Sequence, residues 1–356
     1  MEGRKPSFVK DSRKIYHAEL TSLVSGTHYY FCVGDSLRSY TDEMSFKTLS
    51  EEEPFSIRVV EGGDWENTSD SMLLAKKAGT LNPDYVWLGG DYPAISGIKD
   101  FKEWDKWLDT YDEAINRKGF LVPFVMAIGN HEVLGGYNQN KNKAPFYFDY
   151  FKQGGGKESF FSLPFGKRVR LFILDSGHVS AHDGEQKEWL ISELSKYKEV
   201  PFKAALYHVP IFPSLRFAEK DVFYRASEWL AELLKSSHAK RLFSQKSYEG
   251  KKHWLPIFDR FGLTVAFEHH DQTLKRTKLL KAGMPHKEGT LYLGDGGWGA
   301  EKQYYPLQGL FRPYFSKIKG NIHFFWLVEI EEKQVTYKAI DAFGNVHDHF
   351  KQLLLK

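Results

Sequence analysis

Five apolar runs in this 356-residue chain end directly in residues that bind metals or move protons. Val59-Val60 leads to Gly62-Gly63-Asp64-Trp65, Val86-Trp87-Leu88 to Gly89-Gly90-Asp91-Tyr92, and residues 125–128 to Gly129-Asn130-His131-Glu132. Residues 204–207 then deliver His208-Val209-Pro210, and residues 265–267 deliver Glu268-His269-His270-Asp271-Gln272. Short apolar runs bounded by glycine read as buried strands. An α/β protein gathers its ligand loops just beyond such strand ends. The chain is therefore expected to bring carboxylate, amide and imidazole groups to one edge of a layered fold.

The spacing of the remaining runs agrees with that layering. Strand-like segments are expected at 57–60, 85–88, 122–128, 169–174, 202–207, 263–267, 290–293, 323–330 and 334–340, with helix-like stretches at 71–77, 101–115, 185–196 and 226–234. Sheets covered by helices follow from this alternation. Before residue 50 the texture is purely β-like, at 15–20, 27–34 and 44–48. About 50 residues bury too little surface to stand alone comfortably, so this piece is expected to dock on the larger remainder of the chain. The charged stretch 49–54, ending in proline, reads as a linker.

Composition removes several alternatives. A single cysteine, Cys32, excludes a disulfide framework within the chain and any cysteine-rich metal site, so a metal must be held by imidazole and oxygen. With 49 Lys+Arg against 46 Asp+Glu, the net charge of +3 comes without a dense basic block, and no nucleic-acid surface is evident. Residues 1–10 lack the apolar stretch of a signal peptide and no run reaches the ~18 apolar residues of a membrane span. The expectation is a chain that is cytoplasmic by default, or exported if its N-terminus is incomplete. The oligomeric state is not legible.

The ordered series Gly-Asp, Gly-Asp, Gly-Asn-His-Glu, His, His resembles the calcineurin-like metallophosphoesterases, in particular their purple acid phosphatase branch. Gln186 with Trp189-Leu190, the proline following His208, and the glycine-rich loop 294–299 agree with it. The stretch SLVSGTHYYFCVG followed by FKT resembles the end of the fibronectin type III-like domain that precedes the catalytic domain in that branch. The resemblance implies a four-layer α/β/β/α sandwich over residues 55–356 behind a partial fibronectin type III-like segment at 1–50. It implies two divalent or trivalent transition-metal ions (Mn, Fe or Zn), with phosphate monoesters or diesters as substrates cleaved by a metal-bridging hydroxide. Asp64 would ligate the first metal and Asp91 would bridge both, while Asn130, His208 and His270 would complete the second. His131 would serve the leaving oxygen as general acid or hydrogen-bond donor, and Glu132 would orient its neighbours.

Departures from the branch are as informative. The iron-ligating tyrosine that gives the branch its colour is replaced by Ala94, so no purple colour is expected. The branch has a Gly-His-x-His motif with an arginine six residues beyond its first histidine. Matching Arg276 makes His270 the first histidine and Gln272 the second; the other register, from His269, puts Asp271 second and loses the arginine. Either way one ligand of the first metal has changed type, and a neutral amide oxygen is a poorer donor than imidazole. The first site is then weak, or adapted to Mn²⁺ or Mg²⁺. Trp65-Glu66-Asn67 also stands where a glycine is usual. An alternative function arises from these changes, a degenerate member with one ion or none acting as a binding or scaffold protein. His178 and His182 sit in a Ser/Gly/Asp-rich loop, where a structural role is expected over one at the cleft rim, and His347 and His349 in a solvated tail beyond the last strand.

Overall fold

The computed structural model describes residues 14–93, 101–218, 243–294, 296–303 and 312–354. Its strands are β1 (His28–Phe31), β2 (Met44–Lys47), β3 (Ser56–Gly62), β4 (Tyr85–Leu88), β5 (Phe124–Met126), β6 (Phe161–Phe165), β7 (Val169–Ile173) and β8 (Phe202–Leu206). Two short pieces, β9 (Phe217–Ala218) and β10 (Phe243–Ser244), precede β11 (Val265–Glu268), β12 (Leu274–Thr277), β13 (Leu280–Lys281), β14 (Met284–Pro285) and β15 (Leu291–Gly294). The last four are β16 (Phe315–Lys319), β17 (Phe325–Glu331), β18 (Gln334–Ile340) and β19 (Val346–Leu353). Helices are α1 (Ser69–Gly79), α2 (Phe101–Ala114), α3 (Pro145–Tyr150), α4 (Glu185–Lys196), α5 (Gln245–His253) and α6 (Leu255–Phe261). The helix-like stretch at 226–234 lies outside the described residues.

Two sheets carry the fold, one ordered β19-β18-β17-β3-β4-β5 and the other β16-β12-β15-β11-β8-β7-β6. In the first, β3, β4 and β5 run parallel; in the second, β7, β8, β11 and β15 do. Strand alternation sorts the apolar side chains into three clusters. Ile57, Val59 and Trp87 of the first sheet meet Leu171, Ala204, Leu206, Val265 and Phe267 of the second in a buried layer between them. Trp87 spans that layer, its ring 5.3 Å from Phe165 and 5.9 Å from Phe267. On the outer faces, Val60, Val86 and Leu88 pack under α1 and α2, while Phe172, Ala205 and Ala266 pack under α4 and α6. The order of layers is α/β/β/α, as expected from the sequence.

The helices follow local rules. Thr68 caps α1 by accepting the Ser71 N–H at 3.1 Å, and Lys76 and Lys77 close its last turn against the helix dipole. In α2, Trp104, Trp107, Tyr111 and Ala114 recur every three or four residues and are buried as one stripe.

Two expectations are corrected. Residues 16–20 carry no regular structure, because nothing pairs with them as a strand among the described residues. The runs expected at 27–34 and 44–48 do form the antiparallel pair β1 and β2, tied to residues 119–121 through Ser45 N–H to the Gly119 carbonyl at 2.6 Å and Leu121 N–H to the Ser45 carbonyl at 2.7 Å. The segment holding His347 and His349 is not a tail but strand β19, in register with β18, and His347 is held by Asp341 at 2.8 Å.

Behind the ends of β11 and β12, Glu268 and Lys275 form an ion pair with no exposed surface. Glu268 Oε1 also accepts the Tyr207 hydroxyl at 2.7 Å and the Ile211 N–H at 2.6 Å, so the pair pins the chain leaving β8. Removing one partner of a buried pair strands the other charge. Lys275→Ala is expected to lower unfolding free energy by about 3–5 kcal/mol; a loss below about 1 kcal/mol in urea denaturation would contradict this account.

Candidate active site

Parallel strands of both sheets release their C-terminal ends at one edge, and the five sequence clusters meet there. Asp91, His208 and His270 each present a ligand atom, all within 4.8 Å of one another. His208 Nε2 stands 3.1 Å from Asp91 Oδ2, 3.1 Å from Asn130 Oδ1 and 3.0 Å from His270 Nδ1. The other nitrogen of His208 faces the Gly89 carbonyl at 3.0 Å, an acceptor, so the ring proton belongs there and Nε2 presents a lone pair. Oxygen and nitrogen lone pairs therefore converge on one point. Donors sharing a first-row ion at about 2.0–2.2 Å sit about 3 Å apart, so these four groups fit a metal ion.

Electrostatics supports the same fit. Burial opposes ionisation of Asp91, but the imidazoles of His208, His131 and His270 outweigh it and hold its carboxyl far below the usual carboxylate range. Burial, then the Arg216 charge, push His270 well below the ordinary histidine value, keeping its ring neutral and able to ligate. Burial and the neighbouring Asp91 carboxylate push Asp64 well up. A cation near both carboxylates would offset that repulsion.

Backbone geometry aims these groups. Asp64, Asp91, His270 and Gln272 all have positive φ, at 55°, 62°, 77° and 54°. Side chains in that region cost roughly 1–3 kcal/mol of strain and cluster at functional sites. Each turn directs a side chain into the cleft that continued strand geometry would carry away. Gly296 belongs to the same construction: a Cβ on it would lie 1.8 Å from Asp64 Oδ2, so the glycine-rich loop packs directly on that carboxylate.

Other predicted residues find distinct surroundings. His131 donates its backbone N–H to Asp91 Oδ1 at 2.8 Å, and its imidazole, 28% exposed, stands 3.6 Å from Asp91 Oδ2. Glu132 is buried and accepts the N–H groups of Asp91, Tyr92 and Gly129 at 2.9, 2.6 and 2.7 Å, tying two ligand loops together. Gln272 lies beside Asp64, but its Nε2 donates to Asp64 Oδ1 at 3.1 Å while its Oε1 accepts from Gln303 at 3.3 Å. Asp64 Oδ2 takes the His270 N–H at 3.1 Å. At the first-metal position the lone pairs come from Asp64 and Asp91, and Gln272 adds a donor. That set fits an ion less well than the second.

His269 points away from the cleft, to Glu61 Oε1 at 2.7 Å, and Asp271 is buried against Arg216 and Ser214. Glu66 is half-buried, its carboxyl pushed up by burial with His131 opposing. Asn67 turns to Glu103. Trp65 is buried in a parallel stack on Trp298, ring centres 4.4 Å apart. His178 and His182 are both buried: His178 stacks on Tyr137 with its ring 5.7 Å from His208, behind the cluster, while His182 packs against Trp254. Ala94 and Asp295 lie outside the described residues.

Sequence reasoning passed over Tyr137. Its hydroxyl donates to Asn130 Oδ1 at 3.2 Å and stands 3.4 Å from His270 Nε2, touching two residues of the cluster at once. No spacing rule points to it, since it lies in the irregular chain after residue 131.

A two-sheet sandwich with acidic, amide and imidazole groups gathered at one strand-end edge defines a metallophosphoesterase-type fold. The sequence profile of the calcineurin-like phosphoesterases matches residues 57–267, more than half of the chain, and the chain belongs to that family. Similar solved structures include a purple acid phosphatase, PPD1, from yellow lupin (Lupinus luteus) seeds, with a TM-score of 0.66 at 17% identity over 87% of this chain and 56% of that one. The present chain thus spans little more than half of the lupin chain. PhoD superposes with a TM-score of 0.65 at 10% identity, covering 92% of this chain and 76% of its own. GAP50, the anchor in the inner membrane complex of Plasmodium, does so with 0.57 at 13% identity, covering 85% and 90%. At these identities the likeness is one of fold. No curated protein sequence gives a significant match.

Since Tyr137 holds Asn130 from behind, Tyr137→Phe is expected to weaken Mn²⁺ binding about 10-fold, the low end of the effect of losing a partner of a metal ligand. Calorimetric titration measures it directly. Unaltered affinity would show that Asn130 is held adequately by other groups.

Proposed function

We propose that the chain is a metal-dependent phosphohydrolase acting on phosphate monoesters or diesters, with Asp64, Asp91, Asn130, His208 and His270 as metal ligands. The convergence of Asp91, Asn130 and His270 on His208 Nε2, each about 3 Å from it, carries this reading, because a cation held there would satisfy all four groups at once. Metal ions bound there would supply an acidified water and neutralise phosphoryl charge. The protein's own share is positional. Asp91 is fixed by the His131 N–H, and Glu132 fixes the backbone that carries it. The partly exposed imidazole of His131 is the group free to give a proton to the leaving oxygen. The ions are Mn, Fe or Zn, the first held more weakly for want of an imidazole at Gln272. In this reading residues 1–50 are a partial fibronectin type III-like appendage to a catalytic domain over 55–356. No helix among the described residues is long and apolar enough to cross a membrane.

The Gln272 amide favours a second reading, a binding or scaffold protein that retains the fold with one ion or none, because its donated N–H satisfies Asp64 without a metal. The likeness in fold to GAP50, an anchor, is compatible with it.

Hydrolysis of an aryl phosphate in the presence of Mn²⁺, abolished by a chelator, is the expected result for an enzyme. His131→Ala is then expected to reduce kcat about 10²–10⁴-fold with bound metal unchanged. Loss of metal in step with activity would make His131 a ligand instead. Without turnover by the metal-loaded wild type, the scaffold reading prevails.

Gln272→His restores an imidazole beside Asp64. It is expected to tighten the weaker ion roughly 10-fold or more, read as bound Mn²⁺ at low free metal, and to raise turnover there. Equal Mn²⁺ binding by wild type and variant would remove Gln272 from the metal centre.

A further inference from the structure

The chain leaving β8 is built around one arginine. From His208 it runs to Arg216 and is held throughout by the loop after β11. Glu268 takes the Ile211 N–H, and Asp271 Oδ2 takes the N–H groups of Ser214 and Leu215, both at 2.8 Å. Ser214 Oγ meets Thr273 Oγ1 at 2.6 Å. Asp271 has no exposed side-chain surface, and its other oxygen pairs with Arg216 Nη1. The same nitrogen donates to the His270 carbonyl at 3.0 Å. The guanidinium is therefore anchored through a single nitrogen to the residue that carries a metal ligand.

Its other edge is unspent. Nε and Nη2 of Arg216 have no partner among the described residues, and the side chain remains 23% exposed. Arg276 shows the contrast, since its Nε and Nη2 are both engaged by Asp348, at 2.6 and 3.1 Å. The Arg216 charge acts on His270, Tyr137 and Asp64, all residues of the cleft. A guanidinium fork matches two oxygens of one phosphoryl group.

Resting on the phosphohydrolase reading, we propose that the free edge of Arg216 grips the non-esterified oxygens of the substrate phosphoryl group and directs the site toward phosphate monoesters. A monoester dianion offers a second charged oxygen that a diester lacks. Arg216 supplies a permanent positive charge beside a metal centre that Gln272 leaves short of an imidazole.

Arg216→Lys tests this without emptying the buried pair, because an ammonium still reaches Asp271 but has no second edge to offer. Inorganic phosphate binding to the Mn²⁺-loaded protein is measured by calorimetry, alongside hydrolysis of an aryl phosphate monoester and diester, bound metal and melting temperature. The expected variant keeps its metal and its fold, binds phosphate roughly 10–100-fold more weakly, and shows a similar rise in KM for the monoester with a smaller one for the diester. Unchanged phosphate affinity, or metal lost in proportion to affinity, overturns the proposal, the latter making Arg216 a support for the His270 loop. Arg216-dependent phosphate binding by a wild type that cleaves neither ester would end the hydrolase reading and leave the anion seat standing. Ester cleavage by a wild type whose phosphate affinity the variant matches would do the reverse.

Discussion

The buried pair of Glu61 and His269 holds the two sheets together at the point where the functional loops leave them. Strand alternation turns Glu61 of β3 into the layer between the sheets, where His269, just past β11, meets it at 2.7 Å. The other nitrogen of His269 faces the Tyr207 carbonyl at 2.8 Å. Neither side chain has exposed surface, and each gives the other a hydrogen-bond partner in a layer otherwise apolar. The ring fills the space against Gly63 and Gly89, where a Cβ would lie 2.6 and 1.9 Å from it. Those glycines precede Asp64 and Asp91, and His269 precedes His270. One imidazole thereby sets the separation of three ligand loops from two different sheets.

On that base the cleft concentrates cost. Four residues with positive φ and two buried carboxylates are each unfavourable in isolation. The surrounding core supplies the compensation through Glu132, the glycine-rich loop and the inter-sheet layer. This division, a stable apolar sandwich with strain gathered at one edge, leaves lone pairs pre-aimed at a shared point and so lowers the reorganisation that binding an ion would require.

Much of this architecture is legible in the sequence, for identifiable reasons. The runs at 85–88 and 334–340 coincide with β4 and β18, and the stretch 185–196 with α4, because periodic burial leaves a periodic sequence. Strand β19 was hidden because five of its eight residues are His, Asp, Lys or Gln at a sheet edge, a composition that also describes a solvated tail. The strand expected over 15–20 is missing at 16–20 for the opposite reason: β-like composition forms no ladder where it has no partner among the described residues. Tyr137 and Arg216 escaped notice because each matters through what it faces across the cleft, and neither sits at a strand end.

The sequence by itself determined the chemistry of the candidate site and the edge at which it assembles. Carboxylate, amide and imidazole groups placed immediately after apolar strands have no other place to go in a layered fold. Only the tertiary structure decided how adjacent residues divide their roles. His269, His270, Asp271 and Gln272 are consecutive in the chain, yet one braces the core, one joins Asp91 and His208 in the candidate cluster, one seats an arginine and one donates to Asp64. That division depends on alternating positive φ at His270 and Gln272, which sends successive side chains in different directions. A one-dimensional spacing rule carries no record of those dihedrals, because they are imposed by contacts with strands far away in the chain.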